Sequence, residues 1–259
     1  MAIRTDRIYQ LKSFLDDAVE KYNRIDFIVD DPIAVPRGFS LKQDIEIAGL
    51  MAATLAWGQR KTILNKSREW LAMMDDRPYE FVLQHSDRDL IPIGKFVHRT
   101  FNGTDALYFI DFLKRFYKDH ESLEELFVDG FRVQGAKTAI ANFRSVFFDS
   151  PHAPLRTRKH VPDPHKGSAC KRINMFLRWM VRADQSGVDF GLWKKIPSAK
   201  LICPVDLHVE RVARALKLIR RKQVDWELAE ELTAVLRGLD PEDPVKYDFA
   251  LFGMGLNRK

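Results

Sequence analysis

The chain has 259 residues, of which 46% are hydrophobic and 30% charged, with a formal net charge of +6; this composition is typical of a folded globular protein. Its longest apolar run is about 12 residues, too short to cross a bilayer, and its first residues carry no apolar core of a signal peptide. Two cysteines, Cys170 and Cys203, cannot build a four-thiolate metal site and fit a reducing cytoplasm, although a disulfide between them stays open.

Most segments have the apolar spacing of amphipathic helices. The first runs from Tyr9 to Tyr22. Ser40 followed by Gln43 predicts a capping box that opens a helix extending to Trp57. Further helices are predicted at about 60–74, 78–84, 104–118, 122–128, 135–148, 169–182, 206–219 and 226–237, with a last one after Pro244. Because no alternating strand pattern of useful length occurs, the sequence predicts an all-α fold.

The segment from Asp149 to Gly167 interrupts this pattern. It contains four prolines, which forbid a continuous helix, with arginines, lysines and histidines between them. The sequence therefore predicts an exposed basic connector. Its histidines have only Asp163 as a nearby carboxylate, so we expect no metal site, and no His-Glu-x-x-His, P-loop or Gly-x-Ser-x-Gly motif occurs.

The positive charge is concentrated in one part of the chain. Residues 151–222 contain 17 Lys and Arg against 5 Asp and Glu, whereas the rest of the chain has 25 against 31. A one-sided basic face on an otherwise acidic protein is typical of a nucleic-acid binder. The alternative is a solvated charged face, which would normally intersperse acids among the bases.

Two short motifs carry the candidate chemistry: Gly167-Ser168-Ala169-Cys170-Lys171, and Pro204-Val205-Asp206-Leu207-His208-Val209-Glu210-Arg211-Val212. They resemble the helix-hairpin-helix DNA glycosylase superfamily, which includes endonuclease III and the 8-oxoguanine glycosylases. That family's hairpin reads Leu-Pro-Gly-Val-Gly-x-Lys, and its next helix opens Val-Asp-x-His-Val-x-Arg-Val. The second motif matches at every specified position. The first keeps Gly167 and Lys171 but has Ala169 in place of the second glycine.

The spacing from Lys171 to Asp206 is most similar to that in the archaeal-type 8-oxoguanine glycosylase branch. We expect the chain to belong to a bacterial family of this superfamily that has no assigned function. The resemblance spans residues 40–259 and is specific around 167–212. Upstream, the stretch from Ile47 to Arg60 is similar to the helix and turn that these enzymes wedge into DNA, which makes Gln59 and Arg60 the candidate wedge.

The resemblance implies a catalytic pair of Lys171 and Asp206. A lysine amine can attack the sugar C1′ to form a Schiff base, and a carboxylate can stabilise positive charge in the transition state. A nearby carboxylate favours the ammonium form of the lysine, so the benefit of Asp206 would come in the transition state. The alternatives are a solvated lysine and a helix N-cap.

The resemblance also implies residues that hold DNA. Asp248 and Phe252 share a face of the last helix, where they would hydrogen-bond and stack a flipped base, with Trp57 and Trp193 as further stacking candidates. The alternative is a surface Asp248 and a core Phe252, and tryptophans are usually core. Candidate backbone-binding residues are Gly167, Ser168, Ala169, His208, Arg156, Arg158, Lys159, Lys166 and Arg172. His208 is equally consistent with a helix-surface imidazole.

These expectations combine into one hypothesis. Two helical lobes, 45–187 and 1–44 with 188–259, would bring the hairpin and Asp206 together at a cleft. The protein would be a DNA glycosylase, with lyase activity, acting on a damaged base such as oxidised guanine in double-stranded DNA. It would need no metal, cofactor, membrane or obligate protein partner, and would be cytoplasmic and nucleoid-associated. The alternatives are a non-catalytic DNA- or RNA-binding protein on this scaffold, and a helical protein whose basic stretch binds a protein partner.

Overall fold

The structure, a computed structural model, describes residues 2–256, with side chains from residue 8 onward. The α-helices in this range are α1 (Ala2–Tyr22), α2 (Lys42–Leu55), α3 (Arg60–Ala72), α4 (Pro78–Gln84), α5 (Leu90–Ile93), α6 (Gly103–Tyr117), α7 (Glu125–Val133), α8 (Ala136–Phe147), α9 (Lys171–Val181), α10 (Leu207–Ala215), α11 (Trp226–Leu239) and α12 (Tyr247–Leu256). A two-stranded antiparallel hairpin, β1 (Val97–His98) and β2 (Phe101–Asn102), joins α5 to α6. The predicted all-α class is confirmed. Over residues 2–256, no helix combines the length and apolarity that a membrane span requires.

The chain forms two compact units. The terminal unit comprises Met1–Ile28 with Pro164–Lys259, and the central unit comprises Val29–Asp163. The N-terminal helix groups with the C-terminal part, as in the predicted lobes, but both boundaries fall earlier in the chain than 44/45 and 187/188. The second boundary falls earlier because α9, which is buried from Ile173 to Val181, belongs to the terminal unit. Lys171 and Asp206 therefore belong to the same unit and not to opposite lobes.

In the terminal unit, α12 packs closely against α1 and α10. A Cβ added at Gly253 would lie 2.3 Å from Cγ of Tyr22, and one added at Gly255 would lie 2.8 Å from Cβ of His208. Only glycine permits such approaches without a shift of the neighbouring helix. The first contact holds α12 against the end of α1, and the second holds it beside the start of α10, where Asp206 lies.

The central unit has a core rich in aromatic residues. Phe101, Phe109, Phe112, Phe143 and Phe147 are all buried, and their rings meet mostly edge to face. Such pairs stabilise a core beyond the area that they bury. The apolar spacing predicted the helices that carry these side chains, but β1 and β2 have two residues each, too few for an alternating pattern to be visible.

The predicted capping box at Ser40 is wrong. Helix α2 begins at Lys42, and its N-cap is Leu41, which has extended backbone and no side-chain cap bond. The Gln43 side chain instead donates to the carbonyl of Glu121, at 3.0 Å. Ser40 therefore lies one residue before the N-cap position, so a Ser-x-x-Gln spacing alone does not establish a capping box. The helix predicted at 122–128 is also displaced and runs from Glu125 to Val133.

The basic segment predicted as an exposed connector is partly packed. It forms short 3₁₀ helices at Leu155–Lys159 and Pro164–Lys166, and Thr157 and His160 are buried. Both residues contact the buried Asp105: the Thr157 hydroxyl donates to one carboxylate oxygen at 2.8 Å, and the His160 ring lies 3.3 Å from the other. A buried carboxylate thus anchors the segment.

Asp105 gives the unit a specific acid sensitivity. Burial raises the pKa of its carboxyl, but the close approach of the His160 ring and hydrogen bonds from the Asn102 amide and Thr157 outweigh burial and lower the pKa to about 2, from 3.8. Below pH 4 the unfolded chain then binds more protons than the folded chain, so this stabilisation is complete above pH 4 and is lost towards pH 2. We expect the wild-type protein to lose about 2 kcal/mol of unfolding free energy from this group between pH 5 and 2.

Urea unfolding of Asp105→Asn at several pH values measures this contribution. The variant is expected to be less stable at neutral pH. Its unfolding free energy should also fall less steeply than that of the wild-type protein on the acid limb, the part of the pH profile between pH 5 and 2. Asp111→Asn, on the exposed side of the same helix, is the matched control and is expected to keep the wild-type limb. Parallel acid limbs for wild-type protein and Asp105→Asn would contradict the assignment.

Candidate active site

The segment Gly167–Lys171, here called the glycine segment, leads directly into α9. Its backbone is left-handed at Gly167, with φ of +79°, and at Cys170, with φ of +48°. The Ser168 hydroxyl accepts a hydrogen bond from the Cys170 amide at 3.2 Å, which helps to hold this turn. Lys171 is the first residue of α9. The second left-handed residue is thus Cys170, a non-glycine residue immediately before the candidate nucleophile, whereas Ala169 has negative φ.

This geometry changes the prediction for phosphate binding. The Gly167 amide donates to the Pro164 carbonyl at 3.2 Å and so is engaged within the chain. The Gly167 carbonyl accepts from the Trp226 amide at 3.3 Å. Gly167 is therefore a structural turn residue, and the prediction that its amide faces a phosphate is wrong. Ser168 and Ala169 are half-buried, and Lys166 beside them is exposed.

The structure brings Lys171 and Asp206 together. The Lys171 Nζ lies 3.8 Å from Oδ2 of Asp206, and the two side chains are 29% and 22% exposed. This distance is within the range of an ion pair and slightly too long for a hydrogen bond. Both groups are therefore oriented by the fold and remain accessible from solvent.

The two oxygens of Asp206 have different neighbours. Oδ1 accepts hydrogen bonds from the amides of His208 and Val209 at 2.9 and 3.0 Å, so Asp206 is the N-cap of α10. Oδ2 is the oxygen that faces Lys171. The N-cap alternative is thus correct but incomplete, because capping leaves one oxygen directed at the amine. The cap also fixes the carboxylate in place.

Asp248 is buried and interacts electrostatically with both members of this pair. Burial raises the pKa of its carboxyl to about 6, while the positive charge of Arg178 opposes that rise; Asp206 and Lys171 also act on it electrostatically. The guanidinium of Arg178 donates directly to Asp248. Asp248 is therefore neither a surface acid nor a free acceptor, and a base could use only the lone pairs that Arg178 leaves.

Arg178 is a component of the site that the sequence analysis missed. Its Nε donates to Asp189 at 3.3 Å, and its guanidinium lies 4.1 Å from the ring centroid of Phe249. Arg182, one turn later, pairs with Asp184, Asp189 and Asp243. Both arginines are buried, so they contribute to internal ion pairs and not to the predicted basic face. The sequence signal that could have indicated this was the position of Arg178 beside the apolar stripe of α9.

Phe252 and His208 lie next to each other on the opposing faces of α12 and α10. Their ring centroids are 5.8 Å apart in an edge-to-face arrangement, and both side chains are half-buried. The His208 Nδ1–H donates to the Gly255 carbonyl at 3.2 Å. His208 therefore packs between two helices through Nδ1 and is not a fully exposed imidazole; its role in binding a DNA phosphate stays a prediction.

The two tryptophan candidates have different environments. Trp193 is 1% exposed, and its ring meets Phe176 edge to face at 5.3 Å. A base cannot stack on a ring that is enclosed in the core, so this prediction is wrong. Trp57 is half-buried in the central unit, and the guanidinium of Arg99 lies 5.4 Å from its ring centroid.

Arg99 reaches Trp57 because the turn after α2 contains a glycine. Gly58 has φ of +109°, and a Cβ there would lie 2.7 Å from a terminal nitrogen of Arg99. Gln59 follows as the exposed N-cap position of α3, and Arg60 is the half-buried first residue of that helix. The candidate wedge residues are therefore on an ordered turn of the central unit.

The remaining basic candidates divide by their partners. Arg156 donates to Asp105, Asn102 and the Thr100 carbonyl, so its prediction as an exposed backbone-binding residue is wrong. Arg158 and Lys159 are exposed, and Arg158 lies 5.4 Å from the ring centroid of Phe148. Arg172 is half-buried, and burial lowers the pKa of its guanidinium.

The described part of the chain contains no group of three or more His, Cys, Asp or Glu side chains arranged to hold a metal ion. Cys170 and Cys203 are both buried and unbridged, so the disulfide alternative is not realised. Burial raises the pKa of the Cys203 thiol well above its usual value. This residue is therefore a core thiol and not an exposed nucleophile.

Comparison with known proteins gives one match. No curated protein and no solved structure is similar enough to the chain to count as a relative. A family model described as "Protein of unknown function (DUF2400)" matches residues 31–257, which include both candidate motifs. The chain therefore belongs to this family.

Proposed function

We propose that the protein is a base-excision DNA glycosylase with lyase activity, acting on a damaged base in double-stranded DNA, with oxidised guanine as the leading substrate. The observation that carries this proposal is the 3.8 Å approach of Lys171 Nζ to Asp206 Oδ2, with both side chains partly open to solvent. Support also comes from the resemblance of the glycine segment and the α10 motif to the helix-hairpin-helix glycosylases.

The proposed reaction uses the two groups in sequence. The neutral amine of Lys171 attacks C1′ of the damaged nucleotide, and the bond to the base breaks with its electron pair leaving on the base. Asp206 stabilises the positive charge that develops on the sugar and accepts the proton released from the amine. Ring opening then gives a Schiff base between Lys171 and the sugar, from which strand cleavage proceeds.

The base must leave the helical stack before this chemistry can occur, at a cost of a few kcal/mol that contacts in a pocket offset. Asp248 and Phe252 are the proposed pocket residues. Asp248 can accept from the N1–H and N2–H₂ groups of a guanine-type base, and Phe252 can stack on its face.

A screen of duplex oligonucleotides with single lesions tests the proposal. Wild-type protein is expected to cleave at least one lesion strand, and Lys171→Gln is expected to bind the same duplex without cleaving it. Lys118→Gln, at an exposed lysine of the central unit that is not among the candidate DNA-binding residues, is the matched control and should cleave normally. A wild-type protein that binds DNA but cleaves no lesion would instead favour the non-catalytic alternative on the same scaffold.

Asp248→Asn tests the substrate class. The loss of charged hydrogen bonds to a guanine-type base costs about 1.5–3 kcal/mol, so we expect excision of such lesions to fall roughly 10- to 150-fold, with smaller losses for pyrimidine lesions. Single-turnover excision rates on matched duplexes measure this selectivity.

The control for this variant is Asp189→Asn. It removes the other carboxylate bound by Arg178 and so reproduces the structural perturbation. Its excision profile across lesions is expected to keep the wild-type order. Equal selectivity changes in the two variants would show that Asp248 acts through the ion-pair network and not on the base.

A further inference from the structure

Helix α3 of the central unit carries a concentration of positive charge that the sequence analysis did not single out. The unit as a whole is neutral, with 19 Lys and Arg and 19 Asp and Glu in residues 29–163. Between Arg60 and Ala72, however, there are four bases and one acid. Lys66 pairs with that acid, Glu69, at 2.8 Å. The other three bases are Arg60, Lys61 and Arg68.

These three side chains line a single groove. Its volume is about 530 Å³, and Asp30, Leu64 and Asn65 complete its lining. At about 100° per residue, positions 60, 61, 64, 65 and 68 occupy one side of the helix, away from the Lys66–Glu69 pair. The buried Leu64 forms an apolar floor, and the charged groups stand around it.

Two of the three groove cations are available to a ligand. Lys61 and Arg68 are exposed, and the described part of the chain provides neither with an ion pair or side-chain hydrogen bond. Guanidinium and ammonium groups are donors only, and they match phosphate oxygens. Asp30 also lines the groove and is exposed; its carboxylate disfavours an anion beside it, so the anion would lie towards Lys61 and Arg68.

We propose that this groove binds the phosphodiester backbone of double-stranded DNA. It would be a second DNA-contact surface, separate from the residues around Lys171, and the proposal rests on the proposed function. From Arg60 to Arg68 the helix rises about 12 Å, which exceeds one phosphate group and suits successive phosphates along a strand. A free phosphate or nucleotide shares the chemistry and is distinguished by the experiment.

The test is the salt dependence of binding to an undamaged duplex, which requires no chemistry at Lys171. The slope of log K against log salt is negative, and each lost phosphate contact makes it less negative by about one, so Lys61→Gln with Arg68→Gln should make it less negative by about two. Arg88→Gln with Lys95→Gln is the matched control: it removes the same charge from two exposed, unpaired side chains of the same unit and should change the slope by less than one.

Two results would overturn the inference. One is an equal slope change in the groove and control variants, with both folded by circular dichroism. The other is loss of nucleoside triphosphate or inorganic phosphate binding in the groove variant while duplex binding is unchanged. Lesion cleavage is measured separately from duplex binding. A less negative slope in the groove variant therefore supports this surface even if the wild-type protein cleaves no lesion. Normal lesion cleavage together with an unchanged slope refutes this surface and leaves the proposed function standing.

Discussion

Asp206→Asn is expected to lower the excision rate by about 10²- to 10⁴-fold, the usual contribution of a catalytic acid–base or charge-stabilising group. Asparagine caps helices about as well as aspartate, so the Oδ1 bonds to the His208 and Val209 amides can persist. Only the negative charge that faces Lys171 is lost. The unfolding free energy and the affinity for DNA should therefore stay close to wild type.

The same substitution at another helix start is the control. Asp225 is the N-cap of α11, accepts from the Leu228 amide at 3.1 Å and pairs with Arg221, so it reproduces the cap and the ion pair with a partner other than Lys171. Asp225→Asn should leave single-turnover excision unchanged. If excision falls equally in both variants, or falls only as far as stability does, Asp206 is a structural cap and nothing more.

Arg178→Met is expected to cost about 3–5 kcal/mol of unfolding free energy, because it leaves the buried carboxylate of Asp248 without its ion-pair partner and that of Asp189 with Arg182 alone. Methionine keeps much of the side-chain volume, so the loss reports charge and not a cavity. Arg132→Met removes an exposed arginine whose partner, Asp129, is 3.7 Å away, and should cost less than about 1 kcal/mol.

The deficit of Arg178→Met should also depend on pH. Burial already raises the pKa of Asp248 to about 6 and raises that of Asp189 above its usual value, and loss of the cation raises both further. The folded variant then binds more protons than the unfolded chain, so its stability falls as pH rises. Urea unfolding should show a larger deficit at pH 8 than at pH 5. A deficit independent of pH would contradict this account of the network.

The sequence predicted helices well where local chemistry determines them. Pro78 at the first position of α4 and the apolar spacing of α3 and α8 specify those helices without reference to distant residues. The sequence predicts the basic segment less well: it indicates an exposed connector, whereas Arg156 is held by Asp105, which lies 51 positions earlier. Proline and charge content indicate a break in helix, but they do not indicate which buried acid the break contacts.

The candidate site divides in the same way. Lys171 and Asp206 were identified by motif, and the structure places them together, because both motifs begin helices of one unit. Arg178 was counted as a surface charge, since its partner Asp248 is 70 positions later and charge counts do not separate buried from exposed bases. Trp193 failed for a similar reason: an aromatic side chain has the same composition signal in a core as in a binding pocket.

The most direct test of the central claim is borohydride trapping on a lesion duplex, followed by mapping of the attached residue by mass spectrometry. Borohydride reduces a Schiff base to a stable amine and so records which lysine held the sugar. We expect a covalent protein–DNA adduct in the wild-type protein, attached at Lys171, and no adduct in a folded, DNA-binding Lys171→Gln variant. An adduct of equal yield in Lys171→Gln, or attachment at Lys166, would contradict this expectation.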